Sequence, residues 1–111
     1  MTYLNVGKFY QSRNKFLAAI LRYKTVLKKH KNSAQIPESL YRILECYISI
    51  GLKNQAIYVA SLIKYNFPSS IWYKETINTI KLSNIKISQL EKNLQKNQID
   101  INNINFDEFD F

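Results

Sequence analysis

Large apolar and small residues recur along the first two thirds of the chain at a constant spacing of 37 positions. Tyr3, Val6, Tyr10, Ala19, Val26 and Leu27 return as Leu40, Ile43, Tyr47, Ala56, Ile63 and Lys64, and five of the six matches are apolar or aromatic. Within each copy the apolar positions follow helical periodicity, so each copy reads as two helices. The pattern predicts helices over about 2–13, 15–30, 37–50, 53–66 and 70–95. Pro37 suits the first turn of the third helix, and Ser69 or Ser70 can cap the fifth. Ile77, Ile80, Ile87, Leu90 and Leu94 form one stripe along that last helix, expected to pack on the second hairpin and cap the stack. From about Lys96 the periodicity is lost, and a frayed end is expected. With two Gly, two Pro and 46% hydrophobic residues, the chain is poorly supplied with turn formers for a many-stranded protein.

These positions resemble the tetratricopeptide repeat, a 34-residue helical hairpin with large residues early, an aromatic late in its first helix and a small residue in its second. The second copy carries Leu40, Ile43, Tyr47, Gly51, Ala56 and Pro68 at the matching places. The first carries Tyr3, Val6, Gly7, Tyr10, Phe16, Ala19, Tyr23 and Val26, with Asn14 where a turn glycine often sits. Ala19 and Ala56 would let two helices cross closely, and Tyr10 and Tyr47 would fill the wider space beside them. The polar run Lys31, Asn32, Ser33 absorbs the excess of 37 over the repeat length as a longer loop. The expected fold is all-α: a tetratricopeptide-like solenoid of two hairpins (1–33 and 34–68), a C-terminal capping helix (69–95) and a disordered acidic tail (96–111).

Charge modifies this picture. The formal charge is +8, and residues 1–36 hold eight Lys or Arg and no acid, whereas the end of the chain carries Asp100, Asp107, Glu108 and Asp110. A basic hairpin raises nucleic acid as a partner. Ile, Asn and Lys rise together, however, as an AT-biased genome would produce, so the lysines read as solvated faces and no nucleic acid is expected. Loss of DNA retention at low salt would dispose of that rival. The acidic, aromatic ending from Phe106 to Phe111 could fold back on the basic hairpin as a weak internal ligand; a disordered tail is the default.

Catalytic chemistry finds little to work with. His30 lies at a helix end among lysines, where its charge suits the helix dipole, and Cys46 reads as a small buried hydrophobe. No Cys and His spacing suits zinc and no glycine-rich phosphate loop occurs, so neither metal, cofactor nor enzyme activity is expected. A lone cysteine cannot form an internal disulfide. The chain as given carries no apolar run approaching 18 residues and no export signal.

Two strings are more particular. Tyr10, Arg13, Phe16, Ala18, Ala19, Ile20, Arg22, Tyr23 and Val26 resemble the fourth repeat of the BamD-type outer-membrane assembly lipoproteins. Tyr65, Asn66, Phe67, Pro68, Ser69, Ser70, Trp72 and Tyr73 resemble the same family's ending, departing from it at Phe67 and Ser69. The resemblance covers about residues 5–80. It implies a non-catalytic scaffold at the periplasmic face of the outer membrane, docking on the POTRA domains of the barrel subunit BamA and on accessory lipoproteins. It also implies a lipid anchor and three earlier repeats that this chain lacks, so Met1 is expected to begin a fragment. Arg22 matches a family arginine linked to an acidic BamA partner.

Arg22 is therefore the leading contact residue, since a guanidinium grips a carboxylate with fixed geometry; otherwise it is a solvated position on its helix. Arg13 is expected to close the first turn. First helices of such hairpins line the inner surface, which nominates Lys8, Gln11, Tyr41, Glu45 and Ile48 for a bound peptide. Trp72, with Tyr73, either anchors a partner or seals the last hairpin. A cytoplasmic tetratricopeptide adaptor unrelated to barrel assembly is the competing reading.

Overall fold

The computed structural model describes residues 2–86, 88, 89, 92 and 100–104. Within residues 2–86 five helices follow one another: α1 (Tyr3–Ser12), α2 (Phe16–Lys29), α3 (Ile36–Ser49), α4 (Lys53–Asn66) and α5 (Ile71–Leu82), and a short 3-10 turn stands at Ile101–Asn103. Among the described residues there is no strand, so the chain is all-helical as the periodicity requires. α1 pairs with α2 and α3 with α4; α2 packs on α3, and α5 lies across α3 and α4.

Each first helix stops by the same device. Asn14 and Gly51 take left-handed φ values of 61° and 82°. The next amide reaches back across the last turn, from Lys15 to the Tyr10 carbonyl and from Leu52 to the Tyr47 carbonyl, both at 2.9 Å. This satisfies carbonyls that the helix end would strand, and it turns the chain sharply enough to start the second helix at once.

α5 ends in that way too. Asn84 has φ 60° and the Ile85 amide bonds the Ile80 carbonyl at 3.3 Å. Ile80 and Ile85, which bracket the turn, are both buried, the apolar contact that accompanies such an ending. The single helix expected over 70–95 is thus broken after Leu82. Ser88, Gln89 and Lys92 are helical again, while Ile87, Leu90 and Leu94 of the expected stripe lie outside the described residues.

Starts are capped unevenly. Thr2 Oγ1 accepts from the Asn5 amide at 3.2 Å and Ser70 Oγ from the Trp72 amide at 3.1 Å. Lys15 and Leu52, which precede α2 and α4, make no side-chain cap. Pro37 stands in the first turn of α3, where a missing N–H costs nothing.

The core runs between the helix pairs. Ala19, Tyr23, Leu27, Leu40, Ile43, Leu44, Ala56 and Ile63 are fully buried. Gly7 is required by closeness: a Cβ there would stand 2.4 Å from the Tyr23 ring. At the equivalent places of the second hairpin stand Leu44 and Ala60, both fully buried. Bulk is therefore contributed by the second helix in one hairpin and by the first helix in the other.

Of the stretch from residue 96, the structure describes residues 100–104. Ile104 is buried, the Ile101 amide donates to Asn66 Oδ1 at 2.9 Å, and Asp100 caps the short turn through the Asn102 amide at 2.9 Å. Residues 100–104 so pack at the end of α4. The acidic and aromatic stretch from Phe106 to Phe111 lies outside the described residues.

Candidate protein-docking site

The residues nominated from sequence fall on two surfaces. The first is built by α1, α3 and α5. Glu38 stands one turn before Arg42 and Glu45 three residues after it, so one face of α3 carries acid, base, acid. Arg42 Nη2 reaches Glu38 Oε2 at 3.2 Å and Nη1 reaches Glu45 Oε1 at 2.9 Å. Lys8 of α1 meets Glu38 at 2.7 Å. Gln11 donates to Glu45 Oε1 at 3.2 Å and accepts from the Tyr23 hydroxyl at 2.6 Å. A polar chain thus joins three helices from Lys8 to the buried ring of Tyr23.

Trp72 closes the far end of this surface. Its ring lies 5.4 Å from that of Tyr41, and the Arg42 guanidinium stands 5.3 Å from Trp72 and 5.5 Å from Tyr41. The Tyr41 hydroxyl pairs with Thr79 Oγ1 at 2.9 Å, tying α3 to α5. Trp72 and Tyr41 thus pack α5 against the second hairpin. Ile48 is half-buried against the core.

Protonation states follow from these surroundings. Burial works against the Arg42 charge, but the hydrogen bonds and charges of Glu45 and Glu38 outweigh it and hold the guanidinium above its usual value. Burial pushes the Tyr23 and Tyr41 hydroxyls up, and raises Cys46 and Tyr58 to about 12. Cys46 is a protonated, inert thiol at neutral pH. Among the described residues no group of three His, Cys, Asp or Glu could hold a metal ion, and no helix is long and apolar enough to cross a membrane.

The second surface is the outer face of α2. The Arg22 guanidinium lies 5.8 Å from the Tyr10 ring centre and that of Arg13 4.5 Å from Phe9, with the two rings edge to face at 5.9 Å. Arg13 also ends α1, its amide bonded to the Gln11 and Tyr10 carbonyls, which is the turn role its position suggests. The ion pairs Lys8–Glu38, Arg42–Glu38 and Arg42–Glu45 lie away from this face. Beside Arg22 a shallow notch is lined by Tyr10, Ala18, Leu21 and Thr25. The structure therefore separates Arg22 from the other nominated residues, which gather around Arg42.

Sequence reasoning missed Arg42 and Glu38, although their spacing of four, with Glu45 three further on, was a readable signal. It also missed the exposed pair Leu17 and Leu21, again four apart on one helix face.

These features define a helical-repeat protein with a polar, ion-paired surface and a separate cationic one. The YfiO family of outer membrane lipoproteins matches residues 2–62, and the chain belongs to that family. It is 29% identical over 97 residues to the outer membrane protein assembly factor BamD of Caulobacter vibrioides, covering 86% of this chain and 32% of that protein. To the BamD of Rickettsia prowazekii it is 33% identical over 76 residues, covering 68% of this chain and 30% of the relative. The chain thus spans about a third of the length of the curated relatives it matches. No solved structure matches it significantly.

Proposed function

We propose that this chain is a non-catalytic scaffold in outer membrane protein assembly, which docks a POTRA domain of the barrel subunit BamA and accessory lipoproteins at the periplasmic face of the outer membrane. The reading rests on family membership and on two relatives named as assembly factors. One structural observation carries it: the Arg22 guanidinium stands on the exposed outer face of α2, laid against Tyr10, in a stretch of 36 residues that contains no acid. A cation held against an aromatic face and away from the described carboxylates keeps its hydrogen-bonding fork for a partner's carboxylate.

Arg22→Glu should weaken binding to a BamA POTRA fragment by about ten- to a hundred-fold, the cost of replacing a paired charge by a like one, with the helical circular dichroism unchanged. Equal affinity of both forms would sink the contact.

The competing adaptor reading places an extended peptide on the inner surface at Lys8, Gln11, Tyr41, Glu45 and Ile48. It is supported by a groove of about 520 Å³ between α1 and α3 whose lining includes Lys8, Gln11 and Arg42. A peptide there would have to compete with Glu38 and Glu45 for the same donors, so the outer face of α2 is the better dock.

A further inference from the structure

We infer that the groove where α4 ends is a docking site for a short aliphatic turn, and that residues 100–104 are its resident ligand, which a partner segment of the same chemistry displaces. The site shares no residue with the notch around Arg22, so the two readings stand or fall separately.

The receptor side is made by Asn66 and Phe67 at the end of α4 and by Lys31, Asn32 and Ser33 of the loop before α3. Asn66 Nδ2 donates to the Leu62 carbonyl one turn back at 2.9 Å, which turns Oδ1 into the acceptor for an arriving chain. The Ile101 amide donates to it at 2.9 Å. That bond reads backbone, so side chains must supply the selectivity. Ile104 is 6% exposed and Ile101 is partly buried against the core. Three residues apart across a 3-10 turn, the two isoleucines fall on one side of the segment. The segment also holds its own shape: Asp100 accepts from the Asn102 amide at 2.9 Å, and the Ile104 amide donates to the Ile101 carbonyl at 3.3 Å. A ligand that carries its own turn has less conformational freedom to lose on docking.

The first hairpin closes its tip without such a ligand. Lys29 Nζ donates to the Tyr3 hydroxyl at 3.4 Å, and the His30 ring lies 6.4 Å from that of Tyr3. The equivalent positions of the second hairpin hold Asn66, Phe67 and Leu40, and Leu40 offers neither ring nor hydroxyl. Residues 100–104 pack there instead. They leave part of the groove open: a cleft of about 300 Å³ remains beside the segment, lined by Ile101 and Asn102 and by Lys31, Asn32 and Ser33 of the loop. Because ligand and receptor belong to one chain, the local concentration of the segment is on the order of millimolar. A partner segment offsets that advantage by filling the cleft that the resident one leaves.

The test uses the full chain and a fluorescein-labelled peptide with the sequence of residues 100–104, read by anisotropy. Ile101→Ser with Ile104→Ser releases the resident segment, and this variant should bind the peptide at least about ten-fold more tightly than the wild type does. A peptide with serine at both isoleucine positions should bind the variant at least about ten-fold more weakly, and adding Asn66→Ala should cost about five-fold. Equal affinity of wild type and variant overturns the resident ligand, and binding to neither overturns the site. A serine peptide that binds as well as the first overturns the aliphatic recognition. Hydrogen exchange of the wild type asks the question without altering buried Ile104. The Ile101 amide should exchange at least about ten-fold faster than those of Leu62 and Ile63, and faster again with excess unlabelled peptide. Protection equal to that of the α4 amides and unmoved by peptide makes residues 100–104 a fixed part of the core and overturns displacement.

Discussion

The two hairpins share a register of 37 residues yet treat it in opposite ways. Hairpin two is covered on both sides, by α2 and by α5, and it buries Cys46, Val59 and Leu62 almost completely. Hairpin one carries Phe9, Arg22 and Thr25 at the equivalent positions; Phe9 is 50% exposed and Arg22 is exposed too. At two of these positions the first copy places an exposed aromatic, Phe9, and an exposed cation, Arg22, where the second buries Cys46 and Val59. Repeats with matched backbones thus divide labour by side chain: the second holds the stack together and the first offers a surface.

The sharpest way to break this comparison is to force one hairpin's choice on the other. Val59→Arg introduces a charge into a fully buried position of α4 and should cost more than about 4 kcal/mol, enough to unfold a chain of this size. The reverse change, Arg22→Val, should alter stability by no more than about 0.5 kcal/mol because the site is exposed. Urea unfolding followed by circular dichroism reads both. Similar costs at the two positions would show that the hairpins are not divided as described.

The exchange of bulk between Gly7 with Tyr23 and Leu44 with Ala60 offers a second test. Gly7→Leu should destabilise by about 3 kcal/mol through collision with the Tyr23 ring. Adding Tyr23→Ala recreates the second hairpin's pair and should recover more than half of that loss, although the Tyr23 bond to Gln11 goes with it. A double variant no better than the single would mean that the two hairpins pack by different rules.

Much of this fold was legible because apolar spacing and turn chemistry agree. The helix expected over 53–66 is α4 itself, and the others among the first four end within one or two residues of expectation. The break after Leu82 was not seen, since apolar residues continue at helical spacing through Ile87 and Leu90 and the asparagine that stops α5 is a weaker mark than glycine. Asn14, already readable as a turn residue, was the clue to Asn84. At the candidate site, Arg22 was nominated by resemblance, and the equivalent position of the other copy holds the buried Val59. The pairing of Lys8 with Glu38 was not readable: it joins separate hairpins and depends on their crossing, not on spacing within either.

Buried acids extend the comparison to pH. Cys46, Tyr41 and Tyr58 belong to hairpin two and Tyr23 to hairpin one, and burial raises all four above their ordinary values, Cys46 from 9.0 and Tyr58 from 10.0, each to about 12. A raised folded pKa on a neutral acid favours folding below the unfolded pKa and withdraws that contribution as pH climbs toward the folded one. Stability should therefore be flat near neutrality and fall progressively from about pH 9 to 12, with Tyr58→Phe lessening the loss. Thermal unfolding across that range checks it, and a rise in stability above pH 9 would reverse the assignment. Slow thiol labelling at pH 8, quickened by urea, should accompany it.

Small effects are also expected at the turns that end α1, α3 and α5. Gly51 accepts φ 82° freely, whereas Asn14 and Asn84 hold φ 61° and 60° against the repulsion that a Cβ meets there. Gly51→Ala should cost about 1 kcal/mol, and its space is open, so the loss would be conformational and not steric. Asn14→Gly relieves the Cβ repulsion but loosens the unfolded chain, and these oppose each other; a gain within about 0.5 kcal/mol is expected. Asn84→Gly should behave alike if α5 ends by the same motif as α1. A loss above about 1 kcal/mol at Asn84 alone would show that its side chain does more there than tolerate a left-handed turn, and would separate the end of α5 from the endings of the two hairpins.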